Sequence, residues 1–334
     1  MPQLPEMVQA LLDPKAYPEA PQGIELVQTQ MSFVFLTDNY VYKVKKPVNL
    51  GYLDYTTLKR RRFFCQREIE LNRRLCPDVY LDIVSITRDK SKICAGGQGK
   101  VIEYAVKMRR LPQKAMMDVL LTNNKVSPKM VERVAQKLAE FHQKAEASAN
   151  IRHFGNLYTI IQNSDENFTQ TEKYIDVTVS SKKYQHVKGY NARFIWKNAS
   201  LFRRRIAEGK IRDCHGDLHA AHICFTDGIC IYDCIEFNDR FRYCDVASEV
   251  AFLAMDLDHF GRAGLSRSFV KAYMGQSRDG ELEQLLNFYK CYRAYVRGKV
   301  ESFKLDDPHI SDEEKAVVLA VAKSYFELAE SYVG

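Results

Sequence analysis

No segment of the form G-x-x-x-x-G-K-[ST] occurs anywhere in this 334-residue sequence, which excludes a P-loop nucleotide site. No window approaches about 18 uninterrupted apolar residues, so no segment is expected to span a membrane. The stretch MPQLPEMVQALLDPKAYPEAPQG has no basic run leading into an apolar core, which argues against a secretory signal. Five of the nine cysteines fall between Cys214 and Cys244, and no two of the five are spaced as C-x-x-C, so a zinc knuckle is not expected. Without a signal, the cysteines read as reduced thiols in a cytoplasmic protein. Internal repeats and low-complexity tracts are absent.

What is present is globular. Hydrophobic residues make up 46% and charged residues 27%, enough apolar material for a real core and enough length for a two-lobed unit. Lys plus Arg is 49 against 42 Asp plus Glu, a formal charge of +7. That surplus suits a small anionic ligand such as a nucleotide and is too small to argue for nucleic acid. The runs KRRR (Lys59–Arg62) and RRR (Arg203–Arg205) read as solvated helix faces. Nothing in the sequence indicates an oligomeric state.

Residues 1–22 read as a short leader helix, around Pro5–Leu12, followed by proline-punctuated chain. GIELVQTQMSFVFL (Gly23–Leu36) and YVYKVKKPV (Tyr40–Val48) are rich in strand formers and read as a hairpin. A basic helix is expected over Tyr55–Leu75, ended by Pro77. YLDIVSIT and VIEYAVKM read as two more strands, joined by the turn AGGQG. Residues 23–108 therefore form a small sheet with one helix against it. Residues 109–334 are mainly helical. In SPKMVERVAQKLAEFHQKA, Ser127 is the expected N-cap, Pro128 the first helical residue, and Val131, Val134, Ala135, Leu138 and Phe141 keep the helical period. Ser311 and Glu314 have the spacing of a capping box. Asn150–Lys188 is the least patterned part.

The chemistry concentrates in HGDLHAAHICFTDGICIYDCIEF. Asp217 reads as a loop residue, and HICF and ICIYDC as a hairpin turned at Thr226–Gly228, with Asp233 at its end. Along the second strand Ile229, Ile231 and Asp233 are expected on one face. Phosphoryl transfer needs this equipment: one carboxylate to take the proton of the attacking hydroxyl, another to hold the metal that bridges the phosphates, and a lysine to neutralise phosphate charge. Lys43, a cation in an apolar strand, is the candidate lysine, with Lys45 on the same face as the alternative. Glu68 is its expected partner on the helix, with Glu70 the competitor.

VYKVKKPVNLGYLDY, REIELNRRL, KLAEFH, HGDLH, IYDCIEFN and CDVASEVAFL, in that order, resemble the aminoglycoside phosphotransferase-like branch of the protein-kinase-like fold. The branch includes choline and fructosamine kinases, and the resemblance covers roughly residues 23–305. It implies an α+β fold with a small β-rich N-lobe and a larger helical C-lobe. It further implies transfer of the γ-phosphate of ATP, with Mg²⁺ or alternatively Mn²⁺, to a hydroxyl of a small molecule. Asp217 then matches the catalytic aspartate and His215 the histidine bracing its loop. Asp233 matches the metal-binding aspartate, Lys43 and Glu68 the phosphate-contacting pair, and Asp245 the buried anchor of the catalytic loop. The adenine-binding hinge falls at Tyr104–Met108.

Two positions depart from the pattern. His222 stands where the family has asparagine as a second metal ligand, and an imidazole favours Zn²⁺ or Mn²⁺ over Mg²⁺. The turn QTQMSF has no glycine, leaving the backbone N–H groups around Met31 and Ser32 as the expected phosphate contacts. These departures motivate a second reading, a pseudokinase-like nucleotide-binding or regulatory protein. A protein acceptor is disfavoured, because the interval between Asp233 and Asp245 has no room for an activation segment. His219 is expected at a solvent-facing loop position, Glu236 in a structural hydrogen bond, and His142 in a structural role.

Overall fold

The computed structural model describes residues 4–307 and 310–333. The chain runs through α1 (Glu6–Ala10), β1 (Glu25–Gln28), β2 (Ser32–Leu36), β3 (Tyr40–Lys45), α2 (Leu58–Asn72), β4 (Tyr80–Asp89), β5 (Lys92–Ala95) and β6 (Lys100–Arg109). Then come α3 (Met117–Thr122), α4 (Pro128–Lys144), α5 (Ala149–His153), α6 (Leu157–Thr171), α7 (Ser181–Lys197) and α8 (Ala199–Ala207). Short strands follow: β7 (Ile211–Asp213), β8 (Ile223–Phe225), β9 (Ile229–Ile231) and, after α9 (Asp239–Arg242), β10 (Tyr243–Asp245). The chain closes with α10 (Val246–His259), α11 (Ala263–Ser277), α12 (Leu282–Phe303) and α13 (Asp312–Ser331). It divides into two compact units. Unit 1 holds the described residues up to Met116 together with His222–Asp239, and unit 2 holds Met117–Ala221 and the described residues from Arg240 on.

Unit 1 is built on an antiparallel sheet in the order β1-β2-β3-β6-β4-β5. The run Gly23–Leu36 makes two strands of this sheet instead of one. It breaks at Thr29, whose Oγ1 accepts the N–H groups of Met31 (3.2 Å) and Ser32 (2.9 Å), a local bond that competes with the ladder. One face of the sheet buries Phe35, Tyr42, Val44, Ile86 and Ala105 against Val8 of α1 and against Leu11 and the chain after it. The helix α2 begins where Thr57 accepts the Arg60 N–H and ends at Asn72, five residues before Pro77, so the proline is not its stop. Its buried stripe is largely polar: Arg61, Cys65, Glu68, Ile69 and Asn72. A helix spends polar side chains on its inner face only where partners wait for them.

In unit 2, Val131, Val134, Ala135, Leu138 and Phe141 of α4 are buried as their period predicts, and α4 packs on α11. Ser127 has the extended backbone of an N-cap, but its side chain makes no capping bond. The capping box at Ser311 and Glu314 is formed. The unpatterned stretch Asn150–Lys188 folds mostly into helix. Asn156 and Ser180 cap α6 and α7, and α6 buries Thr159, Ser164, Asn167 and Thr171 beside Phe168, which hides any apolar period. The helix α10 is buried along almost its whole length, and α12 packs on both α10 and α13. At the α12–α13 contact a Cβ on Gly298 would lie 3.0 Å from the Phe326 ring. No helix among the described residues is long and apolar enough to cross a membrane.

Candidate active site

Each unit carries one chemically loaded site. In unit 1, strand alternation puts Lys43 and Lys45 on one face of β3, and α2 lays Glu68 between them. Glu68 uses both oxygens: Oε1 lies 2.9 Å from Lys43 Nζ and Oε2 lies 2.6 Å from Lys45 Nζ. The lysines then diverge. Lys45, with a side chain 1% exposed, pairs with Glu236, which also accepts the Tyr55 hydroxyl proton at 2.6 Å. Lys43, 17% exposed, reaches Asp233 Oδ1 at 2.7 Å. Lys43 thus meets Asp233 at the open edge, and Lys45 is walled in. Glu236 is in the structural hydrogen bond expected of it. Glu70 takes a bond from Gln66 on the exposed side of α2 and stays out of the cluster.

Burial opposes charge on all three central groups, and their partners more than reverse it. Asp233 and Glu68 hold the Lys43 ammonium well above its ordinary pKa. Glu236 and Glu68 do the same for Lys45. The two lysines hold Glu68 below the usual carboxylate range. Lys43, Lys45 and Glu68 are therefore ionised at neutral pH.

Asp233 does not continue the alternation of β9, which ends at Ile231. Its φ is +62°, a left-handed conformation rarely taken by a residue with a side chain. Two bonds hold it there. Its own N–H donates to the Tyr80 hydroxyl at 3.1 Å, and the next N–H, of Cys234, donates to Asn72 Oδ1 at 2.8 Å. One helix, α2, thus supplies both the partner of Lys43 and a clamp on the Asp233 loop. A disulfide between Cys76 and Cys230, with Cα atoms 4.8 Å apart, ties the chain just past α2 to β9. This corrects the expectation of nine reduced thiols. The pair is 154 residues apart in sequence, a proximity that spacing arithmetic cannot see. The other seven cysteines are thiols. His222 Nε2 lies 3.6 Å from Asp233 Oδ2, so the imidazole adjoins the carboxylate oxygen that Lys43 leaves.

Other calls move. The N–H of Ser32 is bonded to Thr29, and the residue is 2% exposed; the turn therefore does not offer that donor to a phosphate. Met108 sits inside the sheet, opposite Val41 on one side and Tyr80 on the other, and the N–H groups of Arg109 and Arg110 are also bonded internally. The first chain past the ladder is Leu111–Gln113, later than the expected hinge.

In unit 2, Asp217 follows β7 on a loop held mostly through its backbone. Glu249 of α10 points one carboxylate oxygen at two N–H groups, His215 at 2.7 Å and Gly216 at 2.6 Å. Its other oxygen meets His142 Nε2 at 2.7 Å, and His142 Nδ1 meets the Tyr273 hydroxyl at 2.7 Å. Burial opposes the Glu249 charge, but His142 and the loop amides hold its pKa below the usual carboxylate range. Arg293 donates to the Gly216 carbonyl at 3.2 Å, and Asp256 accepts the Ala220 N–H at 2.8 Å. Gly216 has φ +91°, so the bend before Asp217 favours glycine. His215, fully buried, accepts the Asp217 N–H on Nδ1 at 3.3 Å. Asp217 keeps a side chain 35% exposed, with His219 Nε2 3.6 Å from its Oδ2.

Two corrections follow. Asp245 is not the loop's anchor: it caps α10 at the Ala247 N–H and pairs with Arg205 through both oxygens. The anchor is Glu249, one helical turn on, and the signal for it was a lone glutamate inside the apolar run VASEVAFLAM. His219 does not face solvent; it is 6% exposed and lies against Phe252.

No family model matches the chain. An uncharacterised protein of Mycobacterium tuberculosis is 35% identical over 279 residues, which is 83% of this chain and 54% of that protein. The chain thus spans about half the length of the curated relatives it matches. Among solved structures, a choline/ethanolamine kinase family protein from Mesorhizobium loti aligns over 98% of this chain and 99% of its own, with a TM-score of 0.53 and 13% identity. Aminoglycoside 2'-phosphotransferase-IIIa, solved with GDP, aligns over 97% and 99%, with a TM-score of 0.54 and 12% identity. The amicoumacin kinase hAmiN, in complex with AMP-PNP, Ca²⁺ and Ami, aligns over 91% and 88%, with a TM-score of 0.54 and 12% identity. The chain has the two-lobed α+β fold that these small-molecule kinases share.

Proposed function

We propose that this chain is an ATP-dependent phosphotransferase that moves the γ-phosphoryl group to a hydroxyl of a small molecule. The observation that carries the reading is Lys43, an ammonium 2.9 Å from buried Glu68 and 2.7 Å from half-exposed Asp233. A cation aimed this way neutralises phosphate oxygens, and Glu68 fixes its direction. The cluster also fits a divalent cation. Three carboxylates (Glu68, Asp233, Glu236) face two ammonium groups, which leaves one negative charge in excess, and Asp233 is the member open to solvent. Asp233 would hold the ion through a hard oxygen that suits Mg²⁺, and His222 would add a nitrogen that suits Mn²⁺. Bound there, the ion would draw off charge developing on the phosphates. The AMP-PNP and Ca²⁺ of the amicoumacin kinase complex support a nucleotide and a divalent ion as the occupants.

Asp217 accepts the proton of the acceptor hydroxyl as its oxygen bonds to the γ-phosphorus and the bond to ADP breaks. His215 and Glu249 hold the Asp217 loop, and positioning supplies more of the rate than the proton transfer does. A second reading, a nucleotide-binding protein without turnover, draws on His222 beside Asp233. Release of labelled phosphate from γ-labelled ATP, measured with Mg²⁺, Mn²⁺ and Ca²⁺ beside calorimetric ATP binding, separates the two. Turnover with at least one metal is expected. ATP binding with no turnover in any metal selects the second reading, and no ATP binding sinks both.

A further inference from the structure

Around the Asp217 loop, unit 2 gathers a group that the reaction above leaves unused. Arg293 of α12 donates to the Gly216 carbonyl, so that face of α12 looks onto the loop. Arg297 lies one turn further along the same face. Asp256 of α10 accepts the Ala220 N–H from the other end of the loop and the Tyr325 hydroxyl of α13 at 3.4 Å. The Arg297 guanidinium sits over the Tyr325 ring, 5.5 Å from its centroid, while His259 stacks on Tyr325 with ring centroids 3.8 Å apart. Arg297 is thus held over an aromatic stack, on the face of α12 that looks onto the loop.

Its hydrogen bonding is incomplete. Arg297 Nε is buried without an acceptor, the Nη2 bond to Glu301 Oε1 is long at 3.5 Å, and the Tyr325 hydroxyl is a further partner of the guanidinium. A guanidinium has five donors in a planar fork, and one with a side chain 21% exposed and Nε unsatisfied can offer two N–H groups at once to a planar or tetrahedral anion. Burial works against its charge, and Tyr325, Asp217 and Asp256 more than offset that, so it stays protonated. Burial keeps the neighbouring His259 below the ordinary histidine pKa and therefore neutral at pH 7.

We propose that Arg297 receives an anionic group of the acceptor, so that the hydroxyl compound presented to Asp217 carries a carboxylate or a phosphate and no compensating positive charge. The proposal rests on the phosphotransferase reading for the word acceptor, and its binding test does not depend on turnover. Three sugars of one carbon skeleton serve as probes: D-gluconate, D-glucose and D-glucosamine, an anion, a neutral molecule and a cation. Their dissociation constants for the ADP-loaded protein are measured by ligand-detected NMR, with glucose 6-phosphate as a fourth probe to separate phosphate from carboxylate.

Gluconate or glucose 6-phosphate is expected to bind at least tenfold tighter than glucose and glucosamine. Arg297→Met is expected to remove that order, and Arg297→Lys, which keeps the charge and loses the fork, to retain part of it. Circular-dichroism melting checks that each variant is folded; if Arg297→Met is not, the Lys variant and 0.5 M NaCl, which screens the pairing, give the same comparison. Glucosamine binding as tightly as the anions, an anion preference unchanged in the Arg297 variants, or no preference for any probe overturns the proposal. A wild-type protein that never turns over ATP yet keeps the Arg297-dependent order sinks the phosphotransferase reading alone.

Discussion

In unit 1, five charged side chains hold one another: Lys43 and Lys45 share Glu68, then part to Asp233 and Glu236. In unit 2, buried side chains hold a stretch of backbone, with Glu249, Arg293 and Asp256 each bonded to a peptide group of the loop around Asp217. The first arrangement fixes charges and leaves an open carboxylate edge. The second fixes a shape and leaves one carboxylate presented on it. They should therefore fail differently when a member is removed: the first through unpaired buried charge, the second through loop geometry.

The largest effect is expected at Lys45→Met. It takes the lysine from buried Glu236 and leaves Glu68 with Lys43 alone, and breaking a buried pair from one side costs about 3–5 kcal/mol. The urea midpoint of unfolding should fall accordingly. An unchanged midpoint would mean the cluster is solvated.

Cys76→Ser removes the tie between α2 and β9. A stability loss of about 2–4 kcal/mol is expected, matched by reductant acting on the wild-type chain. If reductant changes nothing while the variant is destabilised, the loss comes from packing at Cys76 instead of the bond.

The matching change in unit 2, Glu249→Gln, keeps the size of the side chain and gives up its charge. It should cost about 1–3 kcal/mol and slow phosphate release roughly 10–100-fold. ATP dissociation constants should stay as in the wild type. A weakened ATP affinity with unchanged kcat would contradict the separation drawn between the two sites.

The smallest effect belongs to Lys299 of α12, which donates to Asn167 and Gln170 of α6 at 2.6 and 2.7 Å. Burial, with Arg240 nearby and Glu166 opposing, lowers its pKa from 10.5 to about 8. Between those values the unfolded chain binds more protons than the folded one, so this group's contribution to stability rises with pH across the window. Below about pH 8 both states are protonated and its slope vanishes. Urea midpoints at about pH 7.5, 9 and 10 should show a shallower rise in Lys299→Met than in the wild type. Equal slopes would place Lys299 in water.

Much of this was legible from residue type and order. Lys43, Glu68, Asp233, His215 and Asp217 each stand in a stretch whose neighbours announce a strand, a helix, a hairpin end or a loop, and the structure pairs the first three directly. The polar helices were harder to read. The inner stripe of α6 is Thr, Ser and Asn around one Phe, so the hydrophobic period that marks α4 is missing from it. Ser32 and Met108 failed for another reason: whether a backbone N–H is open depends on bonds to Thr29 and to neighbouring strands, which composition does not record. The swap of Asp245 for Glu249 is a matter of one helical turn, which a motif fixes loosely and a hydrogen bond fixes tightly. The Cys76–Cys230 link is a long-range meeting that only the folded chain reveals.

The most direct test compares Asp217→Asn with Asp233→Asn, measuring nucleotide binding and phosphate release on the same samples with metal present. Asp217→Asn should bind ATP as the wild type does and lose turnover by about 10³-fold or more. Asp233→Asn should lose metal-dependent ATP binding along with turnover. Wild-type turnover in Asp217→Asn, or undiminished metal-dependent binding in Asp233→Asn, would contradict the assignment of the two carboxylates.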